Sequence, residues 1–315
     1  MKRFLLLTLA VIVTLVVIYF IPVTQTNDVV IKTNFDNVLS SLRSPGKWEK
    51  WHPVVKKFHG SEKEHIQQPL ESLHNIYKFI DDKDSVVVKT KNPFLYDVQE
   101  YLPENFSSYA FEIMPSFNAT KFTTIRVIEK TPLLFYLLPS LNTGEGEQGA
   151  VALKKYLENT KEFYGYDIKP EPVSDTVFAT KMITISRNDV FKILPVEVEK
   201  IRSFIKDNHL SQTNFTSVSY IPKGDSLQLI VGIPVDRFAE GNNDVECVNI
   251  PKGRMLTGMY EGKFGDRKII YDAMKKYTKD HSMVSVGTVI ESYINDQLPV
   301  SDSSIVKFKL YYPIL

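Results

Sequence analysis

The sequence predicts an α+β protein: an N-terminal apolar helix, an antiparallel sheet gripped by a helix, and a β-α-β-β unit present twice. Three observations carry that reading. The first is an apolar run from Phe4 to Ile21 behind Lys2 and Arg3. The second is a series of short alternating runs, closed by an amphipathic stretch and a proline-rich break at 169–174. The third is a register of 73 residues that repeats through the C-terminal half.

The apolar run comes first. About 18 residues of helix rise about 27 Å, close to the ~30 Å core of a bilayer. Residues 1–27 are therefore expected to be a single-pass membrane anchor. Lys2 and Arg3 hold its N-terminus on the cytoplasmic side, which makes the rest extracytoplasmic, in the periplasm of a bacterium. A cleaved signal peptide is the competing reading, although Tyr19-Phe20-Ile21-Pro22-Val23-Thr24 offers no small-x-small site.

Residues 28–168 form the first expected domain. Asp28–Thr33 reads as a strand, followed by Phe35, Val38, Leu39 and Leu42 at helical spacing. Ser85–Thr90, Tyr109–Met114 and Phe122–Ile128 alternate as strands do, and Asp81–Asp84 is a solvated hairpin turn. After Asn142-Thr143-Gly144, the apolar Val151, Leu153, Tyr156 and Leu157 among lysines mark a helix from Gln148 to Thr160. Trp48, Trp51 and Pro53 follow the first helix in a W-x-x-W-x-P segment. This order and segment resemble the START-like helix-grip superfamily (SRPBCC, polyketide cyclase-like). The resemblance implies a hollow between sheet and helix for an apolar small molecule or lipid. The two tryptophans are expected to close the base of the core rather than to touch ligand. Lys169–Ser174, with Pro170 and Pro172, is expected to be a linker.

Residues 175–315 carry the doubled unit. Met182 pairs with Met255 at the offset of 73, as do Thr184 with Thr257, Phe191 with Phe264, and Phe204 with Tyr277. Ser219-Tyr220-Ile221 matches Ser292-Tyr293-Ile294 in the same register. Each copy predicts a strand (176–185; 254–260), an amphipathic helix (190–208; 266–280) and two strands, which in the second copy are 285–294 and 304–312. Two such units would share a sheet and leave a cleft at a pseudo-twofold axis. The symmetry breaks at one position, where Val218 corresponds to Glu291. Glu291 and Tyr293 share a strand face, and the equivalent face carries Val218 and Tyr220. A carboxylate among aromatics needs a compensating cation, a proton or hydrogen-bond donors. The alternative is a solvent-facing strand glutamate.

Gly258-Met259-Tyr260-Glu261-Gly262-Lys263-Phe264, Thr288-Val289-Ile290-Glu291-Ser292-Tyr293 and the terminal Lys309–Ile314 resemble the GyrI-like effector-binding superfamily, also found fused to AraC-type and MerR-type regulators. The family's usual G-P-Y is Gly262-Lys263-Phe264 here. The resemblance implies a ligand-binding cleft with Glu291 at its centre and Tyr293 and Tyr260 as neighbours, and Tyr220 joins them as the counterpart of Tyr293 on the equivalent face.

Composition restricts the remaining classes. With 38 Lys+Arg against 37 Asp+Glu, the chain lacks the basic excess of a nucleic-acid binder. One cysteine, Cys247, excludes a disulfide framework and a Cys-rich zinc site. His52, His59, His65, His74, His209 and His281 have no ligand-like spacing, and no cofactor motif is present, so neither metal nor cofactor is expected. With no catalytic set visible, the first reading is a small-molecule-binding protein with two modules. One takes an apolar ligand and the other an aromatic or cationic one. The alternative is a hydrolase of strained electrophiles, with Glu291 as general base and Tyr293 or Tyr260 as proton donor.

Overall fold

The alternating runs of the first half fold as strands whose inward side chains recur every second residue. The computed structural model describes residues 2–58, 62–67, 75–103, 105–114, 121–137 and 144–315. The chain divides into units 1–159 and 160–315.

Unit 1 runs α1 (Lys2–Phe20), β1 (Pro22–Ile31), α2 (Phe35–Arg43), α3 (Pro45–Trp51), β2 (Glu62–Gln67), β3 (Asn75–Asp81), β4 (Asp84–Asn92), β5 (Leu95–Leu102), β6 (Asn105–Met114), β7 (Thr123–Pro132), α4 (Leu133–Leu137) and α5 (Glu145–Glu158). Its antiparallel sheet has the order β1-β7-β6-β5-β4-β3-β2. Asp82, at φ 51°, turns β3 into β4, as the acidic run predicts. Asn34 caps α2 by accepting the backbone N–H of Asn37 at 2.9 Å. The face of α5 made by Gly146, Gly149, Ala150, Leu153, Tyr156 and Leu157 is buried, at helical spacing. Two glycines bring this helix directly onto the sheet. A Cβ at Gly146 would lie 2.8 Å from Val127 and 2.9 Å from Tyr109, and one at Gly149 would lie 3.1 Å from Phe111.

The expected membrane anchor is corrected. Among the described residues, no helix is long and apolar enough to cross a membrane. One residue, Ile21, separates α1 from β1, and it accepts the backbone N–H of Leu133 at 2.8 Å. Residues 22–27, assigned to the anchor from sequence, pair with β7 instead. The single-pass, extracytoplasmic assignment and the membrane contact through residues 4–21 fall with it. Met1 and the side chains of Lys2 and Arg3 lie outside the described residues, as do His59, His74, Asn142, Thr143 and the His65 side chain.

Unit 2 runs α6 (Thr160–Tyr164), β8 (Lys169–Pro172), β9 (Val177–Ser186), α7 (Val190–Asp207), β10 (Ser217–Lys223), β11 (Ser226–Pro234), β12 (Glu246–Asn249), β13 (Arg254–Lys263), α8 (Lys268–Asp280), β14 (Ile290–Tyr293) and β15 (Ile305–Pro313). Its sheet has the order β12-β9-β11-β10-β14-β15-β13-β8. Lys169–Pro172, read from sequence as linker, is the edge strand β8 against β13. Prolines suit an edge, where a missing N–H leaves no ladder bond unmade. β14 is shorter than expected because Gly287, at φ 124°, breaks the strand conformation before Ile290. Leu194, Val198, Ile201 and Ile205 of α7 and Ile270 and Met274 of α8 pack with Val218, Leu229, Val231 and Leu310 of the sheet.

Candidate functional site

Strand alternation turns Glu291 and Tyr293 toward the helices, and both side chains are fully buried. Burial pushes the Glu291 carboxyl above the usual carboxylate range, against which Arg267, Tyr271 and Tyr293 pull it down. Tyr293 donates to Glu291 Oε2 at 2.5 Å and Tyr271 to Oε1 at 2.6 Å. Arg267 Nε donates to Oε1 at 3.1 Å. Both carboxylate oxygens are engaged, and their charge is met by a cation of the chain itself.

Arg267 sits at the start of α8, where a cation opposes the helix dipole. Its guanidinium lies 3.5 Å from the centre of the Phe264 ring and 4.9 Å from that of Tyr220, and it also donates to the Phe264 carbonyl at 2.9 Å. The ion pair and the two aromatic faces offset the unfavourable dipole. Burial and the Glu291 charge hold the phenols of Tyr220 and Tyr271 well above the usual tyrosine range, so both stay protonated as donors.

In front of this group lies a cavity of about 700 Å³, lined by Arg187, Phe191, Tyr220, Phe264, Arg267, Lys268, Tyr271, Asp272 and Asp302 among others. Its size is that of a drug-sized ligand site. Three residue pairs at the offset of 73 meet in its wall or in the layer behind it. Phe191 and Phe264 have ring centres 5.6 Å apart, the Tyr220 and Tyr293 hydroxyls lie 3.1 Å apart, and Val218 faces Glu291 across a ladder.

Of the four residues predicted from sequence, the structure brings together Glu291, Tyr293 and Tyr220. Tyr260 is turned elsewhere: its hydroxyl donates to the Lys263 carbonyl at 2.6 Å and its ring stacks on Phe308 at 5.0 Å. Arg267 and Tyr271 were missed. They stand four apart at the start of a predicted helix, so one face of that helix was the available signal. Glu291 is 0% exposed, and both of its oxygens are engaged by Arg267, Tyr271 and Tyr293.

Unit 1 buries a polar chain that sequence reading also missed. His52 and Tyr109 Oη are 2.9 Å apart, and Tyr109 donates to Glu100 at 2.6 Å. Burial pushes the His52 pKa down to about 3, so its 3.4 Å approach to Glu100 involves a neutral ring. His52 Nδ1 accepts the Val55 N–H at 3.4 Å, which assigns the proton to Nε2 and makes that nitrogen the donor to Tyr109. Beside the chain, Glu129 accepts the Gly146 N–H at 2.5 Å, and burial raises both Glu129 and Glu100. Trp48 and Trp51 are buried with ring centres 4.5 Å apart, Trp48 also lying 6.4 Å from Phe79. Among the described residues, no group of three or more His, Cys, Asp or Glu is placed to hold a metal ion.

No protein-family model matches the chain, and no curated protein matches it. Similar solved structures include the C-terminal domain of EcmrR, at 15% identity over 48% of this chain and 98% of that domain, with a TM-score of 0.41. A START superfamily protein from Mycobacterium smegmatis matches at 11% identity over 43% of this chain and 97% of its own, with a TM-score of 0.31. SAV2435, in a structure bound to tetraphenylphosphonium, matches at 9% identity over 47% of this chain and 93% of its own, with a TM-score of 0.31.

Proposed function

We propose that unit 2 is a small-molecule-binding module whose ligand is a flat aromatic compound bearing a positive charge. One observation carries this reading. Arg267 already occupies the environment such a ligand needs, with Glu291 behind it and the faces of Phe264 and Tyr220 against it. The chain's own cation is a stand-in, and an aromatic cation arriving from the cavity takes its place. Arg267 can leave toward the cavity mouth, because its side chain retains 22% exposure while Glu291 retains none. Glu291 supplies the charge that discriminates cation from neutral compound, and Tyr271 and Tyr293 hold the carboxylate in place.

The three pairs that meet at the offset of 73 support a cleft on the pseudo-twofold axis of a duplicated β-α-β-β unit. That duplication explains why aromatic rings face the cavity from both sides. Only one copy carries the carboxylate, so a single orientation of the ligand charge is favoured.

The test is a fluorescence titration of ethidium against native protein, Glu291→Gln and Arg267→Gln. Native protein binds, Glu291→Gln loses about tenfold or more in affinity, and Arg267→Gln binds more tightly because the carboxylate then lacks an internal cation. Equal binding by native protein and Glu291→Gln removes the carboxylate from the site.

A further inference from the structure

The sheet of unit 2 has a second face, and it is not filled by the helices. Val218, Leu229, Val231 and Ala179 point into the helix-packed core, so Ser217, Ser219, Ile230, Gly232 and Phe178 point the other way by strand alternation. Phe178 and Met255 are 8% and 9% exposed, yet neither belongs to that core. Residues 250–254, which carry the chain from β12 at one edge of the sheet toward β13 near the other, line one cavity with both.

Between this crossing segment and the sheet lies a cavity of about 450 Å³. Its floor is Phe178, Ile230 and Ile290, and Gly232 keeps it open, since a Cβ there would sit 3.2 Å from Thr180 and 3.3 Å from Phe178. Lys252 and Arg254 line it and are exposed. Among the described residues neither is in an ion pair, and the lining contains no carboxylate side chain. Asp175 lines the small adjoining cavity, where it accepts the side-chain N–H of Asn214 at 2.9 Å and the hydroxyl of Ser174 at 3.2 Å.

An apolar floor under two unpaired cations has the chemistry of a receptor for an amphipathic anion. We infer that this cavity binds a single-chain amphiphile with an anionic head, its tail on Phe178, Ile230 and Ile290 and its head at Lys252 and Arg254. The site lies on the opposite sheet face from Glu291 and is of opposite charge preference. It is therefore independent of the aromatic-cation reading, and either can fail alone.

The experiment measures binding of dodecanoate and of dodecyltrimethylammonium, both below their micelle concentrations, by titration calorimetry on the full chain. Dodecanoate binds, its affinity falls with added salt, and the ammonium amphiphile of the same tail binds at least about tenfold more weakly. The exposed double variant Lys252→Glu, Arg254→Glu loses dodecanoate affinity by about tenfold or more while ethidium binding at the other cavity is unchanged. Gly232→Leu fills the floor and weakens both amphiphiles. Equal affinity for the two amphiphiles, or unchanged dodecanoate affinity in the double variant, overturns the inference. So does absence of saturable binding, including the case where sedimentation shows a second copy of the chain covering this face.

Discussion

Val218 and Glu291 are direct cross-strand partners between β10 and β14, and both side chains are fully buried. They also stand 73 residues apart, the offset at which other residues of the C-terminal half match. The carboxylate thus lies where β10 pairs with β14, with Tyr293 and Tyr220 in hydroxyl contact beside it. Four outcomes are expected from this arrangement and from the buried polar chain of unit 1.

Removing Arg267 leaves Glu291 buried without its cation, so Arg267→Met should lower unfolding free energy by about 3 kcal/mol, as for other broken buried pairs. Glu291→Gln should cost less, because the half-buried guanidinium can turn into water. Urea denaturation of both single variants and of the double variant measures the difference. Additive losses would show that the pair contributes no coupling.

Tyr271→Phe deletes one donor to Glu291 while keeping the ring. The loss of a hydrogen bond to a charged group predicts a cost of about 1.5 to 3 kcal/mol. It should also move the carboxyl further upward, since Tyr271 pulls it down. An infrared carboxylate titration on ¹³C-glutamate protein follows that shift.

Gly146→Ala should be destabilising although alanine is the better helix former. The added methyl meets Val127, Tyr109 and the Glu129 carboxylate, and overpacking of this kind costs about 1 to 3 kcal/mol. An exposed-site change at Lys155 to alanine, on the same helix, serves as control. Equal thermal midpoints for the two variants would mean that α5 does not rest on the sheet as described.

Glu100 gives a pH dependence with a defined sign. Burial raises its folded pKa above the usual 4.5, so between those two values the folded chain holds a proton that the unfolded chain has released. The stabilisation is complete below 4.5 and is lost as pH rises through the folded value. Glu100→Gln keeps an acceptor for Tyr109 but cannot ionise. It should therefore gain stability relative to native protein as pH rises from about 4 toward 8, in chemical denaturation series at fixed temperature.

Much of the fold is legible in residue patterns because strand and helix periods are local. The alternation of Tyr109 to Met114, the helical spacing of Leu153, Tyr156 and Leu157, and the acidic turn at Asp82 all report their own segment. The run at Lys169 misled for the same reason: edge pairing to β13 depends on a partner more than eighty residues away. The N-terminal run misled because hydropathy records composition, whereas where the helix stops is set by the pairing of β1 with β7.

Residue spacing alone sets Glu291 opposite Val218 at the offset of 73 and puts Tyr293 on its strand face. Nothing local marks Glu100, Tyr109 and Glu129 as one network, because they come from three different strands. What compensates the buried carboxylate is set by tertiary packing. Arg267 and Tyr271 reach it from the start of α8, across a helix-to-sheet contact that no periodicity encodes. The energy of a buried charge depends on every group within a few ångströms, and those neighbours are chosen by the fold rather than by spacing along the chain.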